Sequence, residues 1–279
     1  MGNRSLSFGS ILLGAGVIFF FLIRMEIIRP VEWFVDPAPA IIEAPDEGGF
    51  VLLTSLNRSQ GGFYVSRAGQ VVRNSGLFND LIQNLNKAIV LPKNISILVQ
   101  PCGAVDAHYD PAKSQILFCD EFFYQEEQIF SPYYQDQAQF TDAVLGATAF
   151  TLFHEIGHAL VDQLKLPVLG REEDAADQIA TYLLVMSGAS EQAFHGGEFF
   201  AYLAQNYQPG HSFPYWDEHG LNEQRFFNIA CWLYGYDPGR YAFLVANQVL
   251  PLDRAQRCPS ESAQSAQTMA QLLGPYMRQ

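Results

Sequence analysis

The segment AVLGATAFTLFHEIGHALV, residues 143–161, combines an apolar run with two histidines and a glutamate. Residues four apart on a helix lie on the same face, so the imidazoles of His154 and His158 can reach one ion. Two imidazole nitrogens suit zinc, and Glu155 is placed to act as general base toward a metal-bound water. Without a metal, two core histidines would need other polar partners inside an apolar helix. The segment therefore predicts a buried, metal-binding helix.

A second acidic segment follows a break at Pro167 and Gly170. In REEDAAD, residues 171–177, Glu173 and Asp177 are again four apart and share one helix face. One of these carboxylates can bind the metal while the other orients a ligand imidazole. A helix dipole also attracts acidic residues to a first turn, but it does not explain Asp177, which lies one turn further in.

These two segments resemble the gluzincin metallopeptidases, in which a Glu on a second helix is the third metal ligand and an Asp follows one turn later. Further stretches extend the likeness to a bacterial family of proposed metallopeptidases that is catalogued as a domain of unknown function. The similarity covers roughly residues 75–275. The matching stretches are CGAVDAHYDP (102–111), LFCDEF (117–122), HEIGHAL (154–160), LPVLGREEDAADQIA (166–180), WDEHGLNEQRFFNIACWLYG (216–235), and LP with RAQRC (250–258). In one departure, residues 106–109 read Asp-Ala-His-Tyr where the family has Asn-Ala-aromatic-Tyr.

The resemblance implies a zinc ion on His154, His158 and Glu173. It also implies that Glu155 is the general base and that Asp177 orients a ligand imidazole. It implies no known substrate, and the altered tetrapeptide leaves the role of its loop open.

Hydrolysis of an amide also needs a donor for the developing oxyanion. His219, in the polar stretch WDEH at residues 216–219, is the first candidate because a neighbouring carboxylate could fix its tautomer. Tyr215, His211 and Arg225, which lie near it in the sequence, are further candidates. The alternative is that His219 is a surface histidine at the start of a helix.

Residues 6–23 form an uncharged run of 18 residues, LSFGSILLGAGVIFFFLI. At about 1.5 Å per residue a helix of this length reaches roughly 27 Å, which is enough to span a bilayer core. We expect residues 1–29 to be a membrane anchor, with a cleaved signal peptide as the alternative. Residues 30–49 have the Pro, Gly and acidic composition of a linker. We expect one zincin-like domain over residues 50–279.

The remaining pattern predicts an α+β fold, in which a small N-terminal sheet portion is followed by helices. Strand character appears at residues 51–56, 63–72, 95–100 and 115–119, with residues 109–111 in the turn between the last two. A 3.6-residue apolar stripe predicts a helix at residues 77–89. Further helices are predicted at residues 142–164, 171–187, 191–207, 221–234, 239–248 and 260–273.

The four cysteines can form two bridges. Cys102 and Cys119 flank the turn between two predicted strands, and Cys231 and Cys258 make the second plausible pair. Four buried thiols are the alternative. Bridges imply an oxidising compartment. We therefore expect a membrane-anchored domain on the extracytoplasmic side, or a secreted one if the N-terminal segment is cleaved.

The formal net charge of −13 and the scarcity of clustered Lys and Arg argue against a nucleic-acid partner. The expected partners are a peptide or protein substrate and, through the N-terminal helix, a membrane. The expected function is zinc-dependent peptide hydrolysis. The alternatives are a catalytically silent zinc-stabilised binding domain, which would be free to lose Glu155, and a zinc hydrolase of a non-peptide amide. An exposed strand edge at residues 115–119 beside the metal would accept an extended peptide.

Overall fold

The computed structural model describes residues 48–54, 66–205 and 215–278. The predicted membrane anchor at residues 1–29 and nearly all of the predicted linker lie outside the described residues, as does His211. The described part has an α+β architecture in which a four-stranded sheet is accompanied and followed by helices. This is the fold class that the sequence predicts.

The sheet has the strand order β1-β2-β4-β3. Its strands are β1 (Phe50–Thr54), β2 (Ile95–Gln100), β3 (Ala107–Asp110) and β4 (Gln115–Cys119). β1, β2 and β4 are parallel, while β3 pairs antiparallel with β4 and forms one edge. Buried and half-buried residues alternate along β2, as expected when the two faces of a sheet are covered unequally.

Strand β3 corrects two predictions. Tyr109 and Asp110 belong to a strand and not to a turn. The turn begins at Pro111, and the Asp110 carboxylate stabilises it by accepting hydrogen bonds from the N–H groups of Ala112 and Lys113. β4, whose edge would have accepted an extended peptide had it been exposed, lies inside the sheet between β2 and β3. Among the described strands, the edge on this side of the sheet therefore belongs to β3.

The described residues contain ten α-helices and a closing 3₁₀ turn. The helices are α1 (Arg67–Ser75), α2 (Leu77–Ala88), α3 (Asp120–Phe130), α4 (Gln137–Leu164), α5 (Glu172–Met186), α6 (Ser190–Gln205), α7 (Asn222–Tyr236), α8 (Ala242–Ala246), α9 (Leu252–Ala255) and α10 (Cys258–Leu273). Most of the predicted helices are present, with ends shifted by a few residues.

Helix α1 corrects the strand predicted at residues 63–72. Residues 67–72 are helical, and Ser66 caps this helix because its Oγ accepts a hydrogen bond of 2.8 Å from the N–H of Gly69. The sequence did not predict α3, which starts directly after β4 without a turn residue between them. The helix predicted at residues 239–248 is reduced to Ala242–Ala246.

Helix α4 is the central helix of the core. The carboxylate of Asp136 caps its first turn, and the helix ends at Lys165 in the left-handed conformation. Its 28 residues are long and apolar enough to cross a membrane by length and composition. However, 94% of its most apolar 18-residue window is buried inside the protein, as in the core helix of a globular domain.

Both predicted disulfides are present. The Cys102–Cys119 bridge ties the loop that precedes β3 to the end of β4. The Cys231–Cys258 bridge joins α7 to the start of α10. Disulfides of this kind are found in proteins from oxidising compartments, which hints at an extracytoplasmic location.

Candidate metal centre

A glycine in the HEIGH motif lets α5 cross α4 at close range. A Cβ atom added to Gly157 would lie 2.9 Å from the Cα atom of Ala176, closer than side chains pack in proteins. Ala176 and Ala180 are small and fully buried on the facing side of α5. The small residues on both helices therefore bring the first turn of α5 over the two histidines of α4.

Three side chains converge at this crossing. The Nε2 atoms of His154 and His158 lie 3.3 Å apart. Glu173 reaches both rings from α5, with Oε2 at 3.1 Å from Nε2 of His154 and Oε1 at 3.3 Å from Nε2 of His158. The crossing thus brings together the three residues that the resemblance implies as ligands.

The donor set and its spacing fit a tetrahedral metal ion. Zinc binds nitrogen and oxygen at about 2.0–2.1 Å, so two ligand atoms of a regular tetrahedron are about 3.3–3.4 Å apart. The three distances between the converging atoms, 3.1, 3.3 and 3.3 Å, are close to this edge.

A carboxylate orients each imidazole from behind. The Nδ1–H of His154 donates to Oδ1 of Asp177 at 2.8 Å, and the Nδ1–H of His158 donates to Oε1 of Glu172 at 2.8 Å. With Nδ1 protonated, the lone pair of each ring is left on Nε2, the atom that faces the centre. Sequence reasoning expected this arrangement for Asp177 but assigned no such role to Glu172.

Arg225 of α7 contacts Asp177, the carboxylate behind His154. Its Nε and Nη2 atoms donate to the two carboxylate oxygens of Asp177 at 2.8 and 2.7 Å. Its guanidinium also stacks 3.7 Å above the ring of Phe200. The sequence suggested Arg225 as a possible oxyanion donor, but its guanidinium is occupied by this buried ion pair.

His219 approaches the centre from the loop before α7. Its Nε2 lies 3.0 Å from Oε2 of Glu173, and its Nδ1 lies 3.1 Å from a carboxylate oxygen of Asp217. Ligand atoms of His154, Glu173 and His219 lie within 4.8 Å of one another. His219 is therefore at the centre, with the neighbouring carboxylate that the sequence expected, and Tyr215 is exposed on the same loop.

Glu155, which follows His154 directly in the sequence of α4, is buried. Only 5% of its surface is exposed. Burial raises its pKa, while the charges of His154 and His158 act in the opposite direction. A carboxyl group in such a setting exchanges protons closer to neutral pH than an exposed glutamate does.

The charges at the centre favour a bound cation. Burial lowers the pKa of His158, but hydrogen bonds with Glu173 and Glu172 raise it to about 9. Burial raises the pKa of Glu173, but hydrogen bonds with three imidazoles hold it well below its usual range. The centre thus attracts positive charge, which a divalent ion can supply in place of protons on the imidazoles.

The edge strand β3 runs beside the end of α4. The hydroxyl of Tyr109 donates to Asp162 at 2.8 Å, which fixes the strand to the helix. The carbonyl of Asp106 accepts a hydrogen bond from the N–H of Cys119. In an antiparallel pair, every second residue bonds to the neighbouring strand and the residues between them point their N–H and C=O groups the other way. The backbone groups of Ala107 and Tyr109 therefore point toward the free edge. The altered tetrapeptide at residues 106–109 thus forms this edge.

Comparison with known proteins identifies one family. The model of the family DUF4344, described as "Putative metallopeptidase", matches residues 64–273, about three quarters of the chain. No curated protein and no solved structure matches the chain significantly. The matched range contains the converging side chains of α4 and α5 and the loop with His219.

Proposed function

The chain belongs to the family that this model describes, and from that premise we propose that it is a zinc-dependent peptidase. In this proposal His154, His158 and Glu173 bind the zinc ion, Asp177 orients the ring of His154, and Glu155 is the general base. The observation that carries the proposal is the convergence of two Nε2 atoms and one carboxylate at separations of 3.1–3.3 Å.

The proposed reaction is hydrolysis of an amide bond. Zinc, when bound, acts as a Lewis acid toward the scissile carbonyl and makes a bound water easier to deprotonate. Glu155 takes a proton from the attacking water and returns it to the leaving amine, for which a carboxyl of raised pKa is suited. His219 donates a hydrogen bond from Nε2 to the carbonyl oxygen as negative charge develops on it.

A peptide is the substrate that the fold accommodates best. The free edge of β3 presents backbone donors and acceptors of Ala107 and Tyr109 beside α4. An extended chain can add to this edge as a further strand, and the added strand would run past the HEIGH helix. This replaces the edge that the sequence located on β4.

A catalytically silent binding domain is the competing function. It would need the ligands and their supporting carboxylates, but it would not need a buried acid beside them. Burying Glu155 in the apolar core helix lowers the stability of the protein, and a silent domain would have no functional reason to retain it.

We propose an extracytoplasmic location for the peptidase, supported by the two disulfides, with residues 6–23 as its membrane anchor.

The test combines metal analysis with digestion of a peptide library by the full chain. We expect one zinc per chain in the wild type and in Glu155→Gln, with hydrolysis reduced in Glu155→Gln by about a hundredfold or more. Glu173→Ala should lose zinc. Zinc content unchanged in Glu173→Ala would refute the ligand assignment, and equal cleavage by wild type and Glu155→Gln would refute the peptidase.

A further inference from the structure

Two loops beside the candidate metal centre carry the most exposed large apolar side chains of the described residues. Leu169 is fully exposed, Trp216 is 82% exposed and Tyr215 is 71% exposed. Leu169 lies in the loop before α5, and the two aromatic residues lie in the loop before α7. Removing large apolar side chains from water is favourable, so a group of exposed ones indicates a surface that binds a ligand or partner.

Two observations place these side chains near the metal centre. His219, which contacts Glu173 at 3.0 Å, follows Trp216 by three residues, a chain length of at most about 10 Å. The two loops also adjoin, because a Cβ atom at Gly220 would lie 3.7 Å from the guanidinium of Arg171. A substrate bound at the metal centre would therefore extend over this surface.

Acidic side chains surround the apolar ones. The exposed carboxylates on these loops and at the start of α5 are Glu172, Asp174, Asp217 and Glu218. Two basic residues lie nearby. Lys165 pairs with Asp162 at 3.0 Å, and Arg171 lies near the position of Gly220, as does the carboxylate of Asp174. The four exposed carboxylates outnumber these two cations. The surroundings are thus negative, like the chain as a whole, whose net charge is −13.

We propose that Leu169, Tyr215, Trp216 and Glu218, together called the aromatic rim, bind an Arg or Lys side chain of the peptide substrate. This inference rests on the proposed function and adds a substrate class to it. The aliphatic stem of the basic side chain lies on the apolar groups, and its cationic head faces the indole ring and the carboxylate. An acidic peptide or an anionic lipid surface would meet charges of its own sign here.

The experiment uses twelve-residue labelled peptides of one sequence, with Arg, citrulline or Glu at the same central positions. Citrulline keeps the shape of Arg without its charge. We expect the full-length enzyme to cleave the Arg peptide with a kcat/KM about five- to tenfold above that for citrulline, with the Glu peptide last. The difference should lie in KM and shrink as salt is raised, because the attraction is between charges.

Variants locate the preference. Trp216→Ala and Glu218→Gln should each reduce the ratio of kcat/KM for the Arg peptide to kcat/KM for the citrulline peptide while leaving zinc content unchanged. Tyr236→Ala is the control, since Tyr236 is an exposed aromatic residue at the far end of α7 from Arg225. It should keep the wild-type ratio.

Binding to Glu155→Gln, measured by fluorescence anisotropy of the same peptides, separates this inference from the proposed function. Tighter binding of the Arg peptide that is lost in Trp216→Ala supports the aromatic rim even if no peptide is cleaved. Equal binding of the Arg and citrulline peptides, or a preference that both rim variants retain, overturns it even if the enzyme is an active peptidase.

Discussion

Asp177 links three helices through one carboxylate. On α5, it accepts from His154 of α4 and from Arg225 of α7, and it is 3% exposed. Burial raises its pKa, but the charge and hydrogen bonds of Arg225 lower it to about 2. Asp177 is thus ionised at all physiological pH values. Asp177, Glu155 and Glu173 together carry three negative charges when all are ionised. The guanidinium of Arg225 and one divalent ion would neutralise them.

The ion pair predicts the effect of Asp177→Asn. An amide keeps an oxygen for the ring of His154 but leaves Arg225 buried beside a neutral partner. We expect zinc affinity to fall about ten- to a hundredfold, and the free energy of unfolding of the metal-free protein to fall by about 3 kcal/mol. A chelator competition assay and urea unfolding measure the two effects.

Glu172→Gln is the matched control for this prediction. Glu172 orients the other imidazole, but half of its side chain, 52%, is exposed, so water can replace much of what the carboxylate provides. Its loss should weaken zinc binding less than the loss of the Asp177 charge. An equal or larger effect in Glu172→Gln would mean that the buried ion pair is not what fixes the ligand geometry.

The side chains at the centre differ in how far the sequence could predict them. The spacing of four places His154 and His158 on one helix face, and the same spacing links Glu173 to Asp177, so these sets follow from helical periodicity alone. The partner of Asp177 is 48 residues away on α7, and only the packing of α5 against α7 brings Arg225 to it. No local pattern encodes such a contact.

The crossing of α4 and α5 depends on a glycine. In Gly157→Ala, the new Cβ would meet the backbone of Ala176 at 2.9 Å, and backbone cannot move aside as a side chain can. We expect α5 to shift away from α4, taking Glu173 from the imidazoles and lowering zinc affinity at least tenfold. Alanine favours the helix by about 1 kcal/mol, so helical content should not fall. Zinc titration and circular dichroism measure both effects.

Gly146→Ala is the control on the same helix. Its Cβ would meet the side chain of His195 on α6 at 2.7 Å, two to three turns before the HEIGH motif. This substitution should reduce stability and leave zinc affinity near that of the wild type. If both variants lowered zinc affinity equally, general loosening of α4 would explain the result better than the crossing with α5.

A buried carboxyl between α3 and α4 predicts a pH-dependent stability. Glu126 is fully buried, and its oxygens lie 3.0 and 2.9 Å from the hydroxyl of Thr148. Burial raises its pKa well above the ordinary value of 4.5. As the pH rises from this value toward the raised pKa, the unfolded state loses the proton first, so the free energy of unfolding falls.

Glu126→Gln should remove this loss, since an amide has no proton to release in that range. We expect wild type and variant to differ little near about pH 4, and the variant to be the more stable by about 1 kcal/mol or more near about pH 8. Urea unfolding at the two pH values gives the comparison. A difference between the two proteins that does not change with pH would show that Glu126 is not held protonated.

The elements that the sequence did not predict are those defined by their neighbours. α3 follows β4 without a break and fills its inner face with aromatic rings, among them Phe122 and Phe123 packed against Phe118 of β4. β3 is a strand because Tyr109 is fixed to α4 and its backbone pairs with β4. Short segments of this kind have too few residues for a period to be recognised.

Across the whole molecule, the two disulfides hold different elements in place. Cys102–Cys119 anchors the loop that leads into β3, where the N–H groups of Cys102 and Gly103 also donate to Glu121 at 3.0 and 2.7 Å. Cys231–Cys258 joins α7 and α10, and both of its residues are fully buried. The first bridge therefore supports the proposed peptide edge, and the second supports the helix that carries Arg225.

Replacing each pair with alanine should separate these two roles. The bridges close loops of 17 and 27 residues in sequence, so their removal should lower the free energy of unfolding by about 3 and about 3.5 kcal/mol. Zinc content should be retained in both, because no cysteine is a proposed ligand.

The two variants should differ in KM. Loss of Cys102–Cys119 should raise KM for a peptide severalfold, since the loop that leads into β3 is then no longer anchored. Loss of Cys231–Cys258 should leave KM nearly unchanged. Thermal or urea unfolding, metal analysis and steady-state kinetics on the same peptide make the comparison. A rise in KM only when Cys231–Cys258 is removed would mean that the substrate does not bind along β3.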